Sequence, residues 1–187
     1  MIKELCHDEA ILSQRCEVAT VEDESVAQDL IDTIKSLDDA GCLAANQIGV
    51  TKKVCVYLDD AGEPHVLYNP RLVFGLGASK MEESCLTHEE VTKSTRYIKC
   101  KVAFDQIVDG KMRERKQDFV GFEAQMIQHM IDHCSASWSK GIKAPHLAAQ
   151  SSLAYLKYAS LLFRGNLRHF DPLETCGVNL VEFILLE

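Results

Sequence analysis

GFEAQMIQHMIDH, residues 121–133, is the stretch that decides how the rest of this chain is read. Within it Phe122, Met126, His129, Met130 and His133 recur at spacings of three, four and seven, the period of one helix face. A helix is therefore expected to open at Gly121. His129 and His133 stand four apart on it, so their imidazoles project from one side about a turn apart and can grip a single ion. Spacing alone leaves a second reading open, a pair of half-buried helix histidines with no ion between them.

Upstream of this helix the texture is that of strands. Residues 97–108 alternate with Ile98, Cys100, Val102 and Phe104 turned inward, and Asp109-Gly110 then supplies the strongest two-residue hairpin signal in the chain, with a return strand expected over 111–120. Shorter strands are expected at 53–58 (KVCVYL) and 65–68, separated by a turn at 59–64. Nearer the start, Val26, Ala27, Leu30, Ile31, Ile34 and Leu37 fall at helical spacing over 21–37, with Thr20 as N-cap and Asp23 three places on. Beyond Lys140 a third helix is expected over 147–163, ending at Gly165, and an apolar strand or tail over 178–186.

With 187 residues, 47% of them apolar, the chain can bury a core without disulfide staples. Its 20 Lys and Arg against 28 Asp and Glu give a net charge of −8, which argues against a nucleic-acid partner. The opening MIKELCHDEA has no apolar stretch of the signal-peptide kind, and no apolar run approaches the roughly 20 residues of a membrane span. The eight cysteines include no C-x-x-C pair, so reduced thiols in a cytoplasmic protein are expected rather than a disulfide framework or a zinc ribbon.

Two further segments join the helix motif. LAANQIG at 43–49 and EESCL at 82–86 precede QHMIDH at 128–133 in order and spacing, and with these three signatures the chain resembles the peptide deformylases. The resemblance spans about residues 1–140, leaving 141–187 as a C-terminal extension. It implies an α+β fold, antiparallel sheets around a central metal-binding helix, with the extra helical segment appended.

Carried over position by position, the resemblance makes Cys85, His129 and His133 the ligands of one divalent ion, Fe(II), Zn or Ni, with water in the fourth place. Gln47 and the backbone N–H of Leu86 would form an oxyanion hole, and Phe122 and Met126 would line the pocket for a methionine side chain. Gly41 and Cys42 lie in the loop along which a peptide backbone would approach. The implied reaction is removal of the formyl group from N-formylmethionyl peptides or nascent chains by a metal-bound hydroxide, in a monomer or homodimer. Without the family, Cys85 reads as a small buried hydrophobe, Gln47 as a loop residue satisfying backbone groups, and Phe122 and Met126 as plain core.

The decisive departure is Met130, which stands where the family's HExxH motif has its glutamate. A thioether neither takes nor gives a proton at neutral pH. General acid–base help is worth about 10² to 10⁴ in rate, so weak activity, or a metal-retaining pseudoenzyme that binds formylated or Met-ended peptides or acts as a partner protein, are the two expectations. Asp132, beside His133, reads as a support for a ligand, and Glu83 stands two before Cys85 on its strand; neither is placed to replace the missing base. In the loop, Ala40 and Cys42 occupy the places of the family's two glycines, Gly41 lying between them. Ser84 and Thr87 depart from the second signature and leave the ligand residues unchanged.

Overall fold

The structure, a computed structural model, describes residues 1–136; the helix expected over 147–163 and the tail over 178–186 lie outside the described residues. An antiparallel sheet of five strands runs in chain order: β1 (Cys42–Ala44), β2 (Val54–Leu58), β3 (Pro64–Cys85), β4 (His88–Val108) and β5 (Lys111–Val120). Helix α1 (Glu9–Leu12) and helix α2 (Glu24–Ile34) precede it, and helix α3 (Gly121–Ser135) follows. This is the α+β layout expected, with one continuous sheet in place of several.

Pattern explains how β2 is buried on both faces. Val54 and Val56 belong to an apolar cluster shared with Leu30 and Ile34 of α2, while Cys55 and Tyr57 belong to a second cluster shared with Ala124 and Ile127 of α3. An alternating strand between two helices therefore reads as the continuous apolar run KVCVYL. Thr20 caps the helical segment as expected, through the 3-10 turn that leads into α2: the Glu22 backbone N–H donates to its hydroxyl, and Asp23 accepts from the Thr20 backbone N–H at 2.8 Å. One 3-10 turn (Val21–Asp23) leads in, and the α-helix closes at Ile34, short of Leu37.

Asp109 and Gly110 both adopt positive φ, 52° and 68°, the conformation a two-residue hairpin of right-twisted strands requires. Sequence pattern underestimates the hairpin before it, however. The 65–68 segment is the start of a 22-residue strand, and β4 begins at His88, well before Tyr97. Ile98 is 44% exposed, against the expectation that it points inward, while Cys100, Val102 and Phe104 are buried as expected. Ile98 lies just beyond the reach of β5, which pairs with β4 from Lys99 onward, and outside the apolar cluster under α3, which takes in Tyr97 and Cys100 on either side of it.

Candidate metal centre

The turn between β3 and β4 brings Cys85 opposite His88, and a register shift between Glu83 and Cys85 re-aims the strand end beside α3. As a result the Cys85 Sγ lies 3.3 Å from His133 Nε2. The donor atoms of Cys85, His129 and His133 all fall within 4.8 Å of one another. A tetrahedral ion with Zn–S near 2.3 Å and Zn–N near 2.05 Å separates its sulfur and nitrogen ligands by about 3.6 Å, so this donor set fits one divalent ion. The two imidazoles sit 4.9 Å apart, centroid to centroid, at 72°.

Electrostatics favour a cation there. Burial would push the Cys85 thiol up, but hydrogen bonds with His129 and Thr87 outweigh it and hold the thiol below its usual range. Burial likewise works against a charged His129, and its bonds to Cys85 and Glu83 outweigh that, so its pKa is raised. His133 is held well below the usual range by burial and then by the neighbouring His129, which leaves it the neutral imidazole a metal needs. A cation bound here would take over the charge-stabilising role that these hydrogen bonds play between Cys85 and His129.

Beneath the histidines lies a buried ionic cluster that sequence reading missed. Arg96 of β4 has a fully buried side chain; its Nε and Nη2 donate to the two Glu83 oxygens at 2.6 and 2.7 Å, and its Nη1 donates to Asp132 Oδ2 at 2.6 Å. Glu83 also faces His129 Nδ1 at 3.3 Å. Burial alone would raise the Glu83 pKa, but Arg96 and His129 outweigh it and bring it down to about 2. Asp132, expected to support a ligand, instead ties α3 to β4 through Arg96. The signal available in the sequence was a lone arginine thirteen residues after Glu83, which only pairing of β3 with β4 turns into a contact.

A cleft of about 360 Å³ opens over the triad, lined among others by Gly41, Cys42, Gln47, Cys85, Leu86, Met126, His129 and Met130. His133 closes the triad from within the core, fully buried. Gln47 lies within a short 3-10 turn (Ala45–Ile48): its Oε1 accepts from the Ala44 N–H at 2.9 Å, while its Nε2 lies 3.5 Å from Cys85 Sγ and 3.3 Å from Thr87 Oγ1. Cys42 contributes a thiol whose pKa burial pushes up to about 12. Phe122 also lines the cleft, but it is 71% exposed, so the core alternative does not hold for it. Met130 is 1% exposed and belongs both to this lining and to the apolar cluster under α3.

An antiparallel α+β scaffold that gathers one cysteine sulfur and two imidazoles beneath a partly apolar cleft is the architecture of a metal-dependent hydrolase. A family model for polypeptide deformylase matches residues 2–138. The peptide deformylase of Clostridium beijerinckii is 38% identical over 135 residues, which cover 71% of this chain and 96% of that one. Among solved structures, a peptide deformylase from Legionella pneumophila superposes with a TM-score of 0.65 at 24% identity, over 86% of this chain and 98% of its own. The Met-Ala-Ser-bound class I type b peptide deformylase from Acinetobacter baumannii gives 0.62 at 20% identity, over 72% and 94%. The chain belongs to the peptide deformylase family, whose members are metal-binding hydrolases that process protein N-termini.

Proposed function

We propose that this chain binds N-formylmethionyl peptides, or nascent chains carrying that end, over one divalent ion, Fe(II), Zn or Ni, and removes the formyl group slowly. The observation that carries the reading is the convergence of Cys85, His129 and His133 with the Gln47 amide 3.5 Å from the thiol. When bound, such an ion supplies Lewis acidity and a water acidic enough to attack at neutral pH.

The chain's own groups do the remaining work. Among the described residues strand β1 pairs with β2 on one side, so its other edge, from Cys42, and the loop at Gly41 before it are the surface proposed to hold an extended peptide backbone. Met126 and Phe122 offer an apolar wall to the first side chain, consistent with the Met-Ala-Ser bound by the Acinetobacter neighbour. Gln47 Nε2 and the Leu86 N–H hold the carbonyl oxygen as it gains charge. Residue 130 moves no proton, and neither neighbouring carboxylate replaces it: Glu83, held near pKa 2 by Arg96, is too weak a base, and Asp132 is bound to the same guanidinium. That double occupation of Arg96 is also what favours the second reading, a pseudoenzyme that retains metal and binds peptide without turnover.

The test is anaerobic purification, metal analysis and formyl-Met-peptide hydrolysis by the natural chain and by Met130→Glu. Metal in both, with the Glu variant about 10² to 10⁴ faster, is expected. Peptide binding with no hydrolysis by the natural chain selects the pseudoenzyme. Equal rates would refute the missing-base reading, and absence of metal from the natural chain would overturn the site itself.

A further inference from the structure

Two parts of the site, the Gln47 amide and the Cys85 sulfur, meet at one buried hydroxyl. Leu86 and Thr87 form the two-residue turn between β3 and β4, closed by the pairing of Cys85 with His88. Leu86 lines the cleft, whereas Thr87 lies behind it and is only 5% exposed. Thr87 Oγ1 stands 3.3 Å from Gln47 Nε2 and 3.4 Å from Cys85 Sγ. The direction of these bonds follows from what each atom can do. Gln47 Oε1 accepts from the Ala44 N–H at 2.9 Å, which fixes the amide with its Nε2 toward Thr87. An amide nitrogen only donates, so Thr87 Oγ1 accepts from it. The single hydroxyl proton is left for Cys85 Sγ, and a thiolate that holds an ion can only accept.

We propose that Thr87 is a positioning residue: its hydroxyl accepts from Gln47 Nε2 and donates to the Cys85 thiolate, aiming the oxyanion donor at one end and moderating the ligand sulfur at the other. Gln47 Nε2 carries two N–H groups. With one engaged by Thr87, the second is turned toward the carbonyl oxygen that the amide is proposed to hold. At the sulfur, a hydrogen bond draws charge from the thiolate, which then gives less to the ion and leaves it the stronger Lewis acid. The inference rests on the proposed function and deepens it, because a side chain that touches no substrate couples the ligand sulfur to the amide that receives the reacting oxygen. A packing role would need only the shape of Thr87; this role needs its hydroxyl.

Two readouts on the full chain test it without reference to turnover. Thr87→Val keeps the shape and removes the hydroxyl; Thr87→Ser keeps the hydroxyl and removes the methyl. With Co(II) loaded as a probe, the sulfur-to-cobalt charge-transfer band should move to longer wavelength in Thr87→Val, since the O–H no longer stabilises the sulfur electrons. Thr87→Ser should bring it back toward its natural position, and Thr87→Ala, a second variant without the hydroxyl, should behave as Val does. In the Zn-loaded chain, Thr87→Val should bind a formyl-Met peptide about three- to tenfold more weakly, the worth of one hydrogen bond. Added to Gln47→Ala, the same change should cost nothing further, because Thr87 acts on the formyl oxygen through that amide. A Val band at the natural wavelength, a Ser band displaced as far as Val's, or losses that add to those of Gln47→Ala overturn the proposal and leave the donor triad standing. Failure of the natural chain to take up Co(II) with a sulfur band overturns the metal centre of the proposed function as well.

Discussion

The side-chain amide of Gln128 pairs with the Tyr97 backbone in both directions: its Oε1 accepts from the Tyr97 N–H and its Nε2 donates to the Tyr97 carbonyl, each at 2.9 Å. The same Nε2 also donates to Ala124 O at 2.8 Å. Helix α3 thereby continues the ladder of β4 where β5 no longer does, since β5 pairing starts at Lys99. One turn of helix is fixed against the sheet, and His129 is the next residue. Gln128→Leu keeps the apolar bulk but strands a backbone donor and acceptor, which should cost about 1–3 kcal/mol of stability. Denaturant titration measures that loss, and the Tyr97 amide should exchange its hydrogen faster; unchanged exchange would show that the amide does not hold helix to strand.

Arg96 is the second tie between β4 and α3, and its removal should be more severe. A guanidinium with three short bonds to two buried carboxylates leaves both charges uncompensated when it is lost, so Arg96→Met should destabilise by about 3–5 kcal/mol. Glu83 gives this cluster a pH signature. Its folded pKa of about 2 lies below the ordinary 4.5, so its contribution is fully present above pH 4.5 and is lost as pH falls toward 2. Denaturant unfolding at a series of pH values should show stability dropping through that window, and Glu83→Gln should flatten the drop. The same slope in both chains would assign the acid loss to other groups.

Much of this was legible where the signal is local. Thr20 with Asp23, Asp109 with Gly110, and the periodicity of α3 each speak within a few residues, and each element formed as its pattern indicated. What stayed hidden depends on pairing between distant strands. The three residues of β1 are too few to show alternation, and they are extended only because Cys42, Leu43 and Ala44 pair with Tyr57, Val56 and Cys55. Arg96 looks like one more surface cation until β3 lies beside β4. Ile98 kept the right period yet points outward, because alternation tells which residues share a face and not which of them the apolar cluster under α3 takes in.

The ion itself should stabilise the fold, because the ligands come from separate elements, the end of β3 and α3. A ligand present at a hundred times its dissociation constant adds about 2.7 kcal/mol. Thermal unfolding of the metal-loaded chain should therefore shift down when a strong chelator is added. Cys85→Ala should unfold at one temperature with or without chelator, and metal analysis should find it empty. A chelator effect that survives in Cys85→Ala would place the stabilising ion elsewhere.

Gly41 tests the proposed peptide-binding surface, because its missing side chain is what allows Met126 to approach. A Cβ there would lie 2.8 Å from the Met126 Sδ, closer than real contacts, yet the sulfur sits toward the end of a flexible chain and can turn away. Gly41→Ala should therefore leave the fold close to its original stability, within about 1 kcal/mol, since the strain is relieved by one rotamer change. The displaced thioether moves into the cleft that both residues line. Affinity for a formyl-Met peptide should fall, and shortening the obstacle with Met126→Ala in the same chain should restore part of it. A double-mutant cycle on peptide binding reads this as a coupling between the two sites, of the 0.5–3 kcal/mol that contacting residues typically show, roughly. Additive effects would mean that the cleft binds peptide without involving this contact, and that the loop at Gly41 is not the surface along which the substrate lies.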